Sequence, residues 1–129
     1  MRGRRPLLIE KRMPIINAIA SVAVRDLNAA IKWYEALFRK APTRPMPEVA
    51  EWSFERGGWL QVYQLPERAG SGSCTLAVSN LDEEATRLKA LSIDISRRTS
   101  TEKVKTLMIT DPDGNSIALA EAADRSLAR

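Results

Sequence analysis

The chain has 129 residues, which suits one domain, and its 44% hydrophobic content is ordinary for a globular protein. Its single cysteine, Cys74, excludes a disulfide within the chain and fits a cytoplasmic location, and no apolar run approaches the roughly 20 residues of a membrane helix. The formal net charge of +4 lies in residues 1–12: once the five basic residues and one acidic residue of that segment are set aside, fifteen of each sign remain. We therefore expect neither a nucleic-acid nor a membrane partner for the domain.

The sequence divides into two similar modules between two tails. We predict that residues 1–12 form a basic, disordered extension, and Met13 is an alternative start of translation. Residues 124–129 are predicted to form a C-terminal tail. The domain between the tails, residues 13–123, comprises module one (13–66), a flexible linker (67–72) and module two (73–123).

Module one has the pattern of a strand, a helix and a hairpin. Residues 15–24 are rich in Ile and Val and predict a strand. Asp26 or Asn28 can cap a helix over residues 27–38, whose apolar residues recur at helical spacing. The prolines of residues 41–47 forbid a helix and a central strand, so we expect a rigid connector that could replace an edge strand. Residues 49–54 and 59–65 predict a hairpin with a Gly-Gly turn.

Module two repeats this order. Residues 21–37 align without a gap on residues 75–91, Asn80 is the expected cap of the second helix, and a further strand is possible at residues 93–98. The closing hairpin joins residues 104–110 to residues 116–121 through Asp111-Pro112-Asp113-Gly114-Asn115. In that turn, proline fixes φ, glycine can take a positive φ, and the Asp and Asn side chains can bond nearby backbone.

The repeat predicts an α+β fold in which two paired βαβββ modules form curved mixed sheets around a trough, with the helices on the outer face. Strand alternation turns Leu60, Val62, Ile117 and Leu119 toward the helices and leaves their neighbours for the trough. The predicted ligand-binding residues all come from the trough-facing positions: Trp59, Gln61, Tyr63, Glu51, Ser21, Thr75, Met108 and Ala118.

The aromatic pair on the second hairpin strand of module one is open to two interpretations. Trp59 and Tyr63, with Gln61 between them, form a flat apolar wall suited to a planar ligand, or they pack in a dimer or between the modules. Glu51 is a candidate carboxylate base, or else a polar pocket or surface residue.

Three further side chains are placed by alternation. Cys74 is expected to be a buried small hydrophobe rather than a reactive thiol. Met108 either lines the cleft or, as we favour, fills the core. Trp52 faces the helix, unless a bulge at the neighbouring glycines reverses it.

The paired modules, the Val24-Arg25-Asp26-Leu27 junction followed by Trp33-Tyr34, and the closing Asp-Pro-Asp-Gly-Asn hairpin resemble the vicinal oxygen chelate superfamily over about residues 15–121. That superfamily includes glyoxalase I, extradiol dioxygenases, and fosfomycin- and bleomycin-resistance proteins. Its enzymes hold a divalent metal with His, Gln or Glu at four positions, and the resemblance carries these positions onto Ile19, Gln61, Ser73 and Ala118. Because Ile and Ala cannot ligate a metal and the chain contains no histidine, we expect no metal and no cofactor.

The resemblance implies a general function. The chain is most similar in character to metal-free, bleomycin-resistance-like proteins, so we expect a homodimer that binds an apolar or aromatic small molecule in the trough, without catalytic residues. One alternative is a lyase, isomerase or dioxygenase-like enzyme that uses a carboxylate base or an unrecognised divalent metal. The other is a structural or regulatory protein with a vestigial cleft.

Overall fold

The computed structural model describes residues 14–123, and both predicted tails lie outside this range. The elements follow in the order β1 (Ile19–Val24), α1 (Leu27–Phe38), β2 (Thr43–Met46), β3 (Val49–Ser53), β4 (Trp59–Gln64), a 3-10 turn (Pro66–Arg68), β5 (Ser73–Ala77), α2 (Leu81–Ala90), β6 (Arg98–Ser100), β7 (Val104–Thr110) and β8 (Ser116–Ala122). They form two four-stranded sheets, β1-β4-β3-β2 and β5-β8-β7-β6. The predicted α+β fold of two βαβββ modules is confirmed.

Both sheets are mixed in the same way. In sheet one, β1 is parallel to β4 and the other pairs are antiparallel, and in sheet two β5 is parallel to β8. The edge strands β1 and β5 touch each other, so the two sheets meet along these edges. The face of each sheet that carries no helix therefore lines an open trough, and we call these surfaces the helix-free faces.

One hydrophobic core lies between the sheets and the helices and includes residues of both modules. Its largest side chains are Trp52 and Tyr34, both fully buried, and Trp52 donates its indole N–H to the Lys40 carbonyl at 2.7 Å. Alternation therefore placed Trp52 correctly on the helix side. Arg87 of α2 also joins the modules, because its guanidinium donates to the last carbonyls of α1, at 2.7 Å from Leu37.

The helix boundaries follow the predicted caps. Asp26 accepts the N–H of Ala29 at 3.3 Å, and α1 spans the predicted residues. Asn80 accepts the N–H of Glu83 at 3.1 Å and starts α2. Within residues 14–123, neither helix has the length and apolar surface that crossing a lipid bilayer requires.

The first N–H group of each helix is bound by the adjacent sheet. Gln64 Oε1, at the end of β4, accepts the N–H of Leu27 at 2.9 Å. Glu121 Oε1, on β8, accepts the N–H of Leu81 at 2.8 Å. Gln64 and Glu121 occupy equivalent positions of the repeat, so the same device anchors both helices to their sheets.

Three strands differ from the prediction. β1 begins at Ile19, four residues late, because the side chain of Asn17 takes the place of a ladder bond: it donates to the Gly57 carbonyl at 2.6 Å. The proline-rich connector contains the edge strand β2, which tolerates Pro45 because an edge strand has one unpaired side. β6 begins only at Arg98, after a turn in which the Asp94 carboxylate accepts the Ser96 N–H.

The linker contacts the closing turn of module two. Gly72 donates its N–H to Asn115 Oδ1 at 2.8 Å and accepts the N–H of Ser116 at 2.9 Å. Gly70 has φ +89°, and a Cβ at this position would lie 2.4 Å from the Asp113 carbonyl oxygen. The chain between the modules is therefore packed against the β7–β8 turn, and its glycines are required by close contact.

Candidate functional site

The helix-free face of sheet one carries large and polar side chains. Leu60 and Val62 are fully buried on the helix side of β4, so Trp59, Gln61 and Tyr63 alternate onto the other face, where all three are half-buried. The pairing register then sets their neighbours: Gln61 lies opposite Ser21 on β1 and opposite Glu51 on β3.

These neighbours form a hydrogen-bonded row, which we call the Ser21–Gln61–Glu51 row. The Ser21 hydroxyl donates to Gln61 Oε1 at 3.4 Å, and Gln61 Nε2 donates to Glu51 Oε2 at 2.8 Å. The amide of Gln61 is thereby held with its oxygen toward β1 and its nitrogen toward β3. A fixed amide beside a carboxylate can orient a bound molecule.

Two aromatic side chains stand on either side of this row. Trp59 and Tyr63 are four residues apart on β4, so their Cα atoms are separated by about 13 Å along the strand. The close aromatic pairs within residues 14–123 involve other rings, all packed on the helix side. The rings of Trp59 and Tyr63 are therefore not used in close aromatic pairs of the described chain.

The helix-free face of sheet two carries mostly small side chains. Thr75 lies opposite Ala118, which lies opposite Met108, and none of the three is fully buried. Contrary to the core placement that we favoured, Met108 faces the trough, because its neighbours Leu107 and Ile109 fill the core on the other side of β7. The helix-free face of sheet two is therefore lined by smaller side chains than that of sheet one.

The predicted site residues thus occupy related positions. Ser21, Gln61 and Glu51 are in direct contact, Trp59 and Tyr63 flank them, and the remaining three form a single row across sheet two: Thr75, Ala118 and Met108. Whether these residues bind a ligand remains a prediction.

The four positions that correspond to metal ligands in the superfamily do not fit a metal ion. Ile19 and Ala118 have no donor atom, Ser73 is a poor ligand, and the amide of Gln61 is engaged by its neighbours in the row. Within residues 14–123, no three His, Cys, Asp or Glu side chains are grouped closely enough to hold one.

The only thiol lies on the opposite side of β5 from the trough. Cys74 is half-buried and packs against the core. Burial, with a smaller contribution from the charge of Asp111, raises the pKa of the Cys74 thiol from 9.0 to about 11. A thiol with this pKa is protonated at neutral pH and is a weak nucleophile.

The closing turn has a structural role that its local sequence did not predict in full. Asp111 and Asn115 are buried, and Asp111 accepts the backbone N–H groups of Asp113 and Asn115, both at 2.9 Å, as expected for such a turn. It also accepts the hydroxyl of Tyr34, from α1 of the other module, at 2.7 Å. Asn115 Nδ2 donates to the Ala23 carbonyl of β1 at 2.8 Å.

We call these contacts the inter-module tie, formed by Tyr34, Asp111 and Asn115. One sequence signal could have indicated it: Tyr34 lies within the apolar stripe of α1, and a buried tyrosine hydroxyl needs a hydrogen-bond partner. The identity of that partner, 77 residues away, was not readable from spacing.

Solved structures with the same fold come from several bacteria. A glyoxalase/bleomycin resistance protein from Catenulispora acidiphila DSM 44928 is 33% identical, with a TM-score of 0.74, over 84% of this chain and 99% of that one. TnmS3, an antibiotic binding protein from Streptomyces sp. CB03234, is 21% identical, with a TM-score of 0.75, over 87% and 100% of the two chains. Lactoylglutathione lyase from Agrobacterium tumefaciens is 20% identical, with a TM-score of 0.69, over 85% and 95%.

No family model and no curated protein sequence matches the chain. The identity to the Catenulispora protein extends over nearly all of that protein, and the two-module architecture agrees with it. The chain therefore belongs to the glyoxalase/bleomycin-resistance family of the vicinal oxygen chelate superfamily.

Proposed function

We propose that this protein binds a small, planar, apolar or aromatic molecule in its trough without a metal ion. One observation carries the proposal: the helix-free face of sheet one holds an orienting row between two aromatic side chains, and the helix-free face of sheet two carries mostly small side chains. Ring faces supply apolar contact, the fixed amide supplies direction, and the small residues supply space. The antibiotic-binding activity of TnmS3 supports this use of the fold.

Metal independence is part of the same proposal. It is supported by the chemistry of the corresponding side chains, because two of the four lack any donor atom. Metal analysis of protein purified without chelator is the test. Stoichiometric nickel, zinc, manganese or iron would contradict metal independence.

The binding site is tested by screening planar compounds against the wild type and the Trp59→Ala variant by isothermal titration calorimetry. We expect Trp59→Ala to weaken the hits about tenfold, because the loss of one stacking surface contributes about 1–1.5 kcal/mol. The control is Trp33→Phe, on α1 and so on the other side of sheet one, which should bind as the wild type does. Hits that bind both Trp59 forms equally would refute the site, and a complete lack of hits would favour a vestigial cleft.

A second candidate function is an enzyme that uses Glu51 as a carboxylate base. Two observations favour it. This carboxylate is held on the helix-free face beside Trp59 and Tyr63, and the lactoylglutathione lyase from Agrobacterium tumefaciens has the same fold. An enzyme of this kind would convert a bound compound during long incubation, and Glu51→Gln would abolish turnover. Unchanged compound recovered by chromatography favours binding alone.

We also propose a homodimer located in the cytoplasm. Large apolar side chains just before β1 and at its first residue are exposed: Ile15 (69%), Ile16 (94%) and Ile19 (55%). A second copy of the chain would cover such a patch. Sedimentation analysis should give a dimer for the wild type and more monomer for Ile16→Lys, whereas a monomeric wild type would contradict the proposal.

The cytoplasmic location is supported by the lone cysteine and is tested by cell fractionation.

A further inference from the structure

We propose that the trough selects ligands that present a hydrogen-bond donor, such as a phenol hydroxyl or an aromatic amine, to Glu51. This inference rests on the proposed function and names the ligand class that the same site would take. It follows from which donors and acceptors of the Ser21–Gln61–Glu51 row are already used and which are left for a ligand.

Two of the three polar hydrogens of the row are used within it, and the one that is left, the second N–H of Gln61, is a neutral donor. The only hydroxyl proton of Ser21 is given to Gln61 Oε1, and one N–H of the Gln61 amide is given to Glu51 Oε2. Thr43, the next residue across on β2, gives its hydroxyl proton to the main-chain carbonyl of Glu51. Within residues 14–123, the other carboxylate oxygen, Glu51 Oε1, accepts no hydrogen bond. The strongest group left for a ligand is therefore an anionic acceptor.

The described strands place no cation that would neutralise this acceptor. Lys105 and Arg98 lie on the helix side of sheet two, where both pair with the carboxylate of Asp82. The Arg98 guanidinium is 2.6 Å from it and the Lys105 ammonium 3.9 Å. Arg44 on β2 donates its guanidinium to a carbonyl of the adjacent β2–β3 turn. Among the described strand residues, Glu51 is also the only acidic side chain on a helix-free face, since the other strand carboxylate, on β8, caps α2.

The position of Glu51 gives the ligand an orientation. Trp59 and Tyr63 are on β4, and Glu51 is on the neighbouring strand β3, one strand spacing away. A planar ring system lying between Trp59 and Tyr63 would thus have one edge toward the carboxylate. A ligand edge with a donor satisfies the half-buried charge, whereas an ether or carbonyl at that edge leaves the charge desolvated without a partner.

Three probes of nearly equal size test this selection at pH 7: 2-naphthol, with a donor; 2-methoxynaphthalene, in which the donor is removed; and 2-acetylnaphthalene, with an acceptor only. Binding is measured by competition calorimetry. We expect the wild type to bind 2-naphthol about tenfold more tightly than either of the others, because a hydrogen bond to a charged group exceeds the free energy of a tenfold change in affinity.

The decisive variant is Glu51→Gln. Its new amide oxygen would accept the Gln61 N–H, and its NH2 group would then face the ligand as a donor. The order of affinities should reverse, with 2-acetylnaphthalene about tenfold tighter than in the wild type. Glu51→Ala, which offers neither group, should bind all three probes within a factor of about two. The matched control Glu35→Gln, an exposed carboxylate on α1, should keep the wild-type order.

The outcomes separate this inference from the proposed function. Equal wild-type affinity for the three probes, with all of them weakened by Trp59→Ala, would overturn donor selection and leave the binding site standing. An unchanged order in both Glu51 variants, each checked for native circular dichroism, would also overturn it. If no probe binds the wild type, both proposals fail for fused aromatic ligands.

Discussion

Tyr34 is a fully buried side chain with one polar atom, its hydroxyl. Its ring lies in the core and its hydroxyl donates to Asp111 Oδ2. Burial raises the pKa of Tyr34 well above its usual range, and the negative charge of Asp111 and the hydrogen bond to it act in the same direction. The phenol is therefore protonated in the folded protein at neutral pH and above its ordinary pKa of 10.0.

Removing this hydroxyl should destabilise the protein. We expect Tyr34→Phe to lower the free energy of unfolding by about 1–3 kcal/mol, because the buried carboxylate of Asp111 loses a donor and nothing replaces it. The measurement is urea denaturation followed by circular dichroism. Tyr63→Phe makes the same chemical change on a half-buried ring of the helix-free face and should alter stability by less than about 0.5 kcal/mol.

The raised pKa of Tyr34 also predicts a pH dependence. Above the ordinary value of 10.0, an unfolded Tyr34 loses its proton and a folded one keeps it, so the folded state binds more protons. The free energy of unfolding should therefore fall as pH rises above about 10, and should fall less steeply in Tyr34→Phe. Parallel curves for the two proteins, measured by urea denaturation from pH 8 to 11, would contradict this assignment.

Cys74 should react slowly with alkylating reagents. Its thiol has a pKa of about 11 and is half-buried, so both the thiolate fraction and the access are low in the folded state. We expect iodoacetamide at pH 8 to label the native protein at least tenfold more slowly than the protein in 8 M urea, as measured by mass spectrometry. Equal rates would mean that β5 opens readily or that the thiol is exposed.

At the scale of elements, the helices were the easiest to predict and the short edge strands the hardest. α1 and α2 carry their own signals, namely a capping side chain and an apolar stripe, and both began where predicted. β2 and β6 are edge strands of four and three residues, and contacts with a neighbouring strand rather than propensity define them. Local sequence cannot report such contacts.

The linker provides a prediction at this scale. Gly70→Ala should destabilise the protein by about 2 kcal/mol or more, because φ is +89° and the new Cβ would approach the Asp113 carbonyl oxygen to 2.4 Å. Gly58→Ala is the matched control: nothing lies within 4 Å of its Cβ, and its φ is not positive. Thermal denaturation should show a clear loss for the first variant and almost none for the second.

At the scale of the whole molecule, the two modules form a single structural unit. The core includes side chains of both, Arg87 of α2 holds the end of α1, and Asn115 bonds to β1, to the linker and to Asp111. All three tryptophans are in module one and the single cysteine is in module two, so each module has its own probe.

We predict that the wild type unfolds in one transition, with the same urea midpoint for tryptophan fluorescence and for pulse alkylation of Cys74. Asn115→Ala should lower the free energy of unfolding by about 3 kcal/mol, since the buried Ala23 carbonyl and Gly72 N–H lose their partner. Its two midpoints should separate, because the inter-module tie is weakened. The control is Asn28→Ala, an exposed position on α1, for which the midpoints should still coincide.

The candidate site was predictable to an intermediate degree. Alternation along β4 placed Trp59, Gln61 and Tyr63 together, because the period of a strand is fixed at two residues. The contact between Gln61 and Glu51 was not predicted, since it depends on the pairing register of β3 with β4. Alternation also put Met108 on the trough-facing side of β7, but our preference for a place in the core was wrong, because Leu107 and Ile109 fill the core there.

The sequence by itself determined the two-module repeat, the helices with their caps and the face on which each strand residue lies, because these follow from local periodicity and backbone chemistry. Only the tertiary structure decided that Tyr34 would bond to Asp111, that the linker would be held against the closing turn, and that Ser21, Gln61 and Glu51 would form a row. Each of these contacts joins residues from different elements, and the geometry that brings them together comes from the packing of the whole chain.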